Sequence, residues 1–142
     1  MTIQQISVFL PNKPGSFCQI AKVLSDNDVN MRAMSVADTS DFGILRIIVD
    51  NNEKACAVLK DAGCIYKETP VVAMKVEDTP GALVGILEAL KDAEISMEYM
   101  YAFTAKTEGA YIVCRVNDVE KSMEALKAAN ITLLSAEDLA AM

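Results

Sequence analysis

The chain has 142 residues with 20 acidic and 13 basic side chains, which give a formal net charge of −7. That balance argues against nucleic-acid binding, which needs clustered Lys and Arg, and against binding to an anionic membrane. No secretory signal is visible, and no apolar run approaches the ~20 residues that span a bilayer, so we expect a cytoplasmic protein without a membrane segment. The four cysteines show no CxxC spacing and the chain has no histidine, so we predict neither a metal site nor a cofactor.

An internal repeat organises the sequence. Residues 12–17 (NKPGSF) line up with residues 78–83 (DTPGAL), 66 positions later. The same offset places apolar residues on apolar residues: Ile20 on Ile86, Leu24 on Leu90, Val29 on Ile95 and Met31 on Met97. We therefore expect two small domains, residues 1–69 and residues 70–142.

The predicted elements follow the same order in both repeats. In the first they are a strand at 3–10, a helix after Pro14-Gly15, strands at 29–39 and 44–50, a helix at 53–63 and a strand at 64–68. In the second they are a strand at 71–77, a helix after Pro80-Gly81, strands at 95–106 and 111–116, a helix at 119–129, a strand at 131–135 and a ragged tail at 136–142.

Helical spacing predicts which residues face the sheet. The first helix of each repeat has apolar residues at i, i+3, i+4 and i+7: Phe17, Ile20, Ala21 and Leu24, then Leu83, Ile86, Leu87 and Leu90. Asn51 and Asn117-Asp118 are positioned to cap the second helices, and each Pro-Gly pair suits a sharp turn in which Pro occupies the first helical turn.

The order βαββαβ, found twice, determines the predicted fold class. Right-handed crossovers place both helices of a repeat on one face of a four-stranded antiparallel sheet. The prediction is an α+β protein with two ferredoxin-like plaits in tandem. Met34, Val36, Met100 and Ala102 form an apolar strand face that a partner could cover, which indicates a homodimer.

The strand-to-helix turn at residues 12–17 is the best candidate site. The first N–H groups of a helix lack internal partners and favour an anion, and Gly15 has no Cβ to keep a ligand away. An α-carboxylate could bind the N–H groups of about Gly15 to Phe17, with the Asn12 amide beside it. The alternative is that Pro-Gly only makes a tight turn and Asn12 caps the helix.

Residues 12–17, followed by Val29-Asn30-Met31, resemble the regulatory domains of the ACT family, once in each repeat. The resemblance implies paired domains that bind a small effector, usually an amino acid, at their interface. It implies that the loop after the first strand of one domain faces the start of the second strand of its neighbour. Asn12 then matches an effector-contacting asparagine, Gly15 a close-approach glycine and Asn30 the second-strand asparagine.

In the second repeat the matching positions are Asp78, Gly81 and Ser96, and two of these depart from the family pattern. Asp78 would repel a carboxylate but could pair with an ammonium, so we expect the two sites to differ; alternatively, Asp78 is a helix cap. The predicted effector-binding residues are Asn12, Pro14, Gly15, Ser16, Phe17, Asn30 and Met31 in the first repeat, and Asp78, Pro80, Gly81, Ala82, Leu83, Ser96 and Met97 in the second.

These features predict a non-catalytic sensor or regulatory module for a small free amino acid. The alternative is a regulatory subunit that docks on a biosynthetic enzyme, similar to the small subunit of acetolactate synthase. A small enzyme on the same plait is disfavoured because no histidine base, carboxylate pair or nucleophile motif is present, and we predict no catalytic residue. A copper chaperone would need paired cysteines, and an RNA-recognition plait would need basic residues and stacking aromatics.

Overall fold

The computed structural model describes residues 2–38, 41–104 and 109–142. The ends of the strands predicted at 29–39 and 95–106 therefore lie partly outside the described residues. The chain divides into two compact units, one of residues Gln4–Thr69 and the other of residues Pro70–Met142 with the N-terminal residues up to Ile3.

The first unit contains one complete βαββαβ set. Its elements are β1 (Ile3–Pro11), α1 (Ser16–Asp26), β2 (Met31–Asp38), β3 (Phe42–Val49), α2 (Asn52–Asp61) and the start of β4 (Ile65–Val76). The strand order is β2-β3-β1-β4, with β1 and β2 both antiparallel to β3. That order is the one expected for a ferredoxin-like plait.

The second unit repeats this arrangement. Its first strand is the later part of β4, and the elements that follow are α3 (Ala82–Asp92), β5 (Met97–Thr104), β6 (Ala110–Val116), α4 (Val119–Ala128), β7 (Leu133–Leu134) and α5 (Ala136–Ala141). The strand order is β5-β6-β4-β7, and each adjacent pair is antiparallel. The predicted fold class, two ferredoxin-like plaits in tandem, is confirmed.

Each unit has its own apolar core, formed where the two helices cover one face of the sheet. In the first unit, Ile20 and Leu24 of α1 and Leu59 of α2 are buried with Ile6 and Val8 of β1. In the second unit, equivalent residues from α3, α4 and β4 do the same: Ile86, Leu90, Leu126, Val72 and Met74. Burial of these side chains, each contributing about 1.5–3 kcal/mol, stabilises the two units.

The apolar face of α3 is narrower than its sequence spacing predicts. Ile86 and Leu90 are buried, but Leu83 and Leu87 are 37% and 38% exposed, so their predicted burial against the sheet is wrong. Consecutive residues of a helix are rotated by about 100°, so only Ile86 and Leu90 point directly at the sheet. Leu83 and Leu87 lie to one side, next to Val84, which is 51% exposed.

The starts of α2 and α4 agree with the sequence prediction, whereas the C-terminal segment does not. The side chain of Asn51 accepts a hydrogen bond from the N–H of Lys54 (3.1 Å), and that of Asp118 accepts one from Lys121 (3.0 Å), so both predicted caps are confirmed. The predicted ragged tail at 136–142 is wrong, because α5 forms there. A capping box at its start and the burial of Leu139 hold this helix in place.

Candidate functional site

The two Pro-Gly turns have the same backbone geometry. Gly15 and Gly81 both have φ of 85°, in the left-handed region, and each immediately precedes the first residue of its helix. Pro14 and Pro80 stand in the turn ahead of the helix, so the expectation that Pro occupies the first helical turn is wrong. At both positions a Cβ would meet nothing within 4 Å, so the glycine is required by the backbone angle and its outer side is open.

Neither helix start is capped by a side chain. Gly15 and Gly81 are the N-cap residues, and no side-chain hydrogen bond is made at either cap. The alternative interpretations of Asn12 and Asp78 as helix caps are therefore wrong. Both side chains are exposed and available to a ligand.

The first helix start leaves two consecutive N–H donors open. The N–H of Ser16 donates only a long hydrogen bond, 3.4 Å, to the carbonyl of Lys13. Within the described part of the chain, the N–H groups of Phe17 and Cys18 have no hydrogen-bond acceptor. Such unpaired donors favour an anion, and the helix dipole adds to that preference.

At the second helix start, a different pair of donors is used internally. The N–H of Ala82 donates to the carbonyl of Thr79 (3.2 Å), and the N–H of Val84 donates to the carbonyl of Gly81 (3.0 Å). Among the described residues, the N–H groups of Leu83 and Gly85 have no acceptor, so the open donors alternate with bonded ones, whereas those of the first start are consecutive.

In both repeats, a reciprocal pair of hydrogen bonds holds the start of the second strand, β2 or β5. The N–H of Asn30 donates to Oδ1 of Asp50 (3.0 Å), and the N–H of Asp50 donates to the carbonyl of Asn30 (3.1 Å). Ser96 and Asn117 make the same reciprocal pair at 3.0 and 3.1 Å. Because the main chain makes these bonds, the exposed side chains of Asn30 and Ser96 remain available for a ligand.

Within one unit, the predicted site residues fall into two groups. Asn12, Gly15 and Ser16 lie at the start of α1, whereas Asn30 and Met31 follow its end. An 11-residue helix spans about 16 Å, so one small ligand cannot contact both groups of the same unit. The corresponding groups of the second unit are separated in the same way by α3.

Three cavities adjoin these groups. One of about 220 Å³ in the first unit includes Ser16, and one of about 360 Å³ in the second unit includes Ala82. A shallow depression of about 630 Å³ in the first unit includes Asn30 and Met31 with Asp28, Met34 and Asp50. Asp50 is not among the predicted site residues, because the proximity of Asp50 to Asn30 arises from pairing between strands that are distant in the sequence.

The thiols of Cys114 and Cys56 have raised pKa values. Burial raises the pKa of the Cys114 thiol from 9.0 to about 11. Burial, and to a smaller extent the charge of Glu68, raises the pKa of the Cys56 thiol to about 11 as well. Both thiols are therefore protonated at neutral pH.

Within residues 2–38, 41–104 and 109–142, no group of three His, Cys, Asp or Glu side chains could hold a metal ion, and no helix is long and apolar enough to cross a membrane.

Comparisons with known proteins agree with this architecture. The protein BT0572 from Bacteroides thetaiotaomicron has a similar structure with a TM-score of 0.94 and 37% sequence identity, over 100% of this chain and 98% of that chain. The ligand-free regulatory subunit of aspartate kinase from Thermus thermophilus is similar with a TM-score of 0.64 and 16% identity, over 89% of each chain. The regulatory subunit of aspartate kinase from Thermus flavus has a TM-score of 0.60 and 16% identity, over 89% of this chain and 92% of that chain.

No match was found among curated proteins. The sequence matches the family described as the ACT domain pair over residues 1–142, which is the whole chain. Together with the two βαββαβ units, this match means that the chain belongs to the ACT domain pair family.

Proposed function

We propose that this protein is a non-catalytic regulatory module that binds a small free amino acid at the interface of paired ACT-like domains. The observation that carries the proposal is the start of α1, where Gly15 leaves the N–H groups of Phe17 and Cys18 open and no side chain caps the helix. A carboxylate is the anion that a free amino acid would place there. Asn12 is exposed beside it and can add a hydrogen bond from its amide.

The start of β2 has the opposite electrostatic character. Asp28 and Asp50 line the depression beside Asn30, so this surface suits an ammonium group. A zwitterion needs both surfaces, and α1 keeps them about 16 Å apart within one unit. We therefore propose that the helix start of one ACT-like domain meets the second-strand start of another.

A homodimer is our proposed source of the second domain. β2 and β5 end the strand order of their units, and Met34 and Val36 on β2 are 45% and 52% exposed. Edge strands with exposed apolar side chains are suited to association with another copy. Ligand binding at such an interface would link occupancy to the arrangement of the domains, which is what a regulatory switch requires.

We propose that residues equivalent in the two repeats contribute unequally. Asp78 brings a negative charge to the second helix start, where the open donors are not consecutive. Ser96 is shorter than Asn30, and its anchoring partner is the neutral Asn117 in place of Asp50. The strongest site should therefore combine the helix start with Asn12 and the strand start with Asn30.

Isothermal titration of the purified protein with each of the twenty amino acids is the direct test. We expect one or a few of them to bind, and Asn12→Ala to weaken binding about tenfold through loss of a hydrogen bond to a charged group. Ser96→Ala is the matched control and should have a smaller effect. Absence of binding by all twenty amino acids would refute the proposal.

A second candidate function, docking on a biosynthetic enzyme, is favoured by the outer face of α3. Leu83, Val84 and Leu87 form an apolar patch there, with 37%, 51% and 38% of their surfaces exposed. Co-purification of a stoichiometric enzyme that is lost in Val84→Ser would support this function. A stable homodimer that binds an amino acid without any enzyme would favour the sensor.

A further inference from the structure

The cavity of about 220 Å³ lies entirely within the first unit, between α1 and the turn that joins α2 to β4. Its walls are mainly apolar and include Phe9, Leu10, Ile20 and Val23. Its polar groups are at the end where α1 begins, and they are Lys13, Ser16 and Gln19. An apolar cleft with a few convergent polar groups has the usual composition of a small-molecule site.

The state of Ser16 indicates that a ligand belongs in this cavity. Ser16 is 9% exposed, and its Oγ is buried without a hydrogen-bond partner among the described residues. A buried hydroxyl without a partner costs free energy, and helix formation does not require a serine here, since Ser16 makes no cap. A ligand oxygen in the cavity would provide the missing partner.

We propose that this cavity binds a small monocarboxylate with an aliphatic tail and no α-amino group. The carboxylate would accept hydrogen bonds from Ser16 and Gln19 and pair with the ammonium of Lys13. The tail would lie against Ile20 and Val23. No acidic side chain is among the described residues that line the cavity, so an α-ammonium would have no charged partner there.

The equivalent cavity of the second unit lacks this chemistry. Ala82 stands in place of Ser16, and Gly85 is at the position of Gln19. Lys75 and Glu77 both line that cavity, so its cation is accompanied by a carboxylate that would repel the ligand. The monocarboxylate site is therefore specific to the first unit, and the repeat itself supplies an internal control.

This site does not depend on the proposed amino-acid site. The amino-acid site requires residues of two ACT-like domains, including Asn12 and Asn30, and it selects a zwitterion. The cavity requires one unit and selects an anion without an ammonium. The two proposals can therefore fail separately.

A pair of probes tests the inference directly. 4-Methylpentanoate and leucine share the same carbon skeleton, and they differ only in the α-ammonium group. We expect 4-methylpentanoate to bind the full chain and to shift the amide NMR signals of residues 9, 10, 13, 15–20 and 62–65 more than those of the second unit. Absence of such shifts at about 10 mM, or tighter binding of leucine at these same residues, would overturn the proposal.

Three substitutions locate the carboxylate. Ser16→Ala, which copies the natural residue at Ala82, should weaken binding of 4-methylpentanoate about tenfold without lowering the unfolding temperature. Gln19→Glu, an isosteric change on an exposed helix position, should weaken it at least as much through repulsion. Lys13→Gln should also weaken it, whereas Lys22→Gln, on the same helix but outside the cavity, should not.

The proposal is wrong if Ser16→Ala and Gln19→Glu both bind 4-methylpentanoate as tightly as the unaltered protein. It is also wrong if Lys22→Gln weakens binding as much as Lys13→Gln, because the effect would then be one of general charge. If 4-methylpentanoate binds and no amino acid does, the cavity stands and the proposed amino-acid sensor fails.

Discussion

Alanine in place of the glycines at or near the helix starts should destabilise the protein at Gly15 and Gly81 and stabilise it at Gly85. Gly15 and Gly81 have φ of 85°, whereas Gly85 lies inside α3, where the backbone is helical. At all three positions a Cβ would meet nothing within 4 Å, so steric clash contributes to none of the substitutions. The change in unfolding free energy therefore reports the backbone conformation alone.

The size of each effect can be worked out from these angles. A left-handed conformation costs an L-residue about 1–2 kcal/mol. Alanine also lowers the conformational entropy of the unfolded chain, which offsets about 0.4–1 kcal/mol of this cost. Gly15→Ala and Gly81→Ala should therefore each destabilise the protein by about 1 kcal/mol, and Gly85→Ala should stabilise it by about 0.5–1 kcal/mol.

Urea unfolding followed by circular dichroism measures these changes. With a slope of about 2 kcal/mol per molar urea, a loss of 1 kcal/mol lowers the midpoint by about 0.5 M. A loss above about 3 kcal/mol for Gly15→Ala would mean that its Cβ meets other atoms. If Gly15→Ala stabilised the protein as Gly85→Ala does, the left-handed turn would be refuted.

Four further predictions concern the caps, the last helix and the cysteines. Asp118→Ala should cost about 1 kcal/mol of stability because it removes a helix cap, whereas Asp78→Ala, which removes none, should change stability by less than ~0.5 kcal/mol in urea unfolding. Leu139→Ala should cost about 2–3 kcal/mol because this side chain is 2% exposed; a loss under about 1 kcal/mol in thermal unfolding would show that α5 is not packed. At about pH 8, iodoacetamide should alkylate exposed Cys18 in the folded protein and buried Cys114 only after unfolding, as mass spectrometry can show. Because the pKa of Cys114 is raised from 9.0 to about 11 in the folded state, stability should fall as the pH rises from 9 to 11, and a Cys114→Ala variant should lose less over that interval.

Local patterns were sufficient for the order of the elements. Alternating residues predict strands and a 3.6-residue spacing predicts helices, because each pattern places apolar side chains on one side of its own element. The two repeats carry the same patterns in the same order, so each element has a counterpart of the same type. Asn51 and Asp118 were recognisable as caps because a cap bonds to an N–H only three residues away.

Local patterns failed where burial depends on distant residues. Leu83 and Leu87 have helical spacing but lie beside the contact between α3 and the sheet. α5 is only six residues long, and the burial of Leu139 depends on elements far away in the sequence. A short amphipathic segment is stable only when the rest of the unit offers it an apolar surface.

The candidate site likewise has features set by local sequence and features set by distant contacts. The amino-acid sequence by itself determined the Pro-Gly turn before α1, because a left-handed residue before a helix is a local requirement that glycine meets. Only the tertiary structure decided that Ser16 is buried beside the turn between α2 and β4, and that Asp50 holds the start of β2. Those contacts join segments tens of residues apart, and their geometry follows from strand pairing and helix packing, which no short stretch of sequence contains.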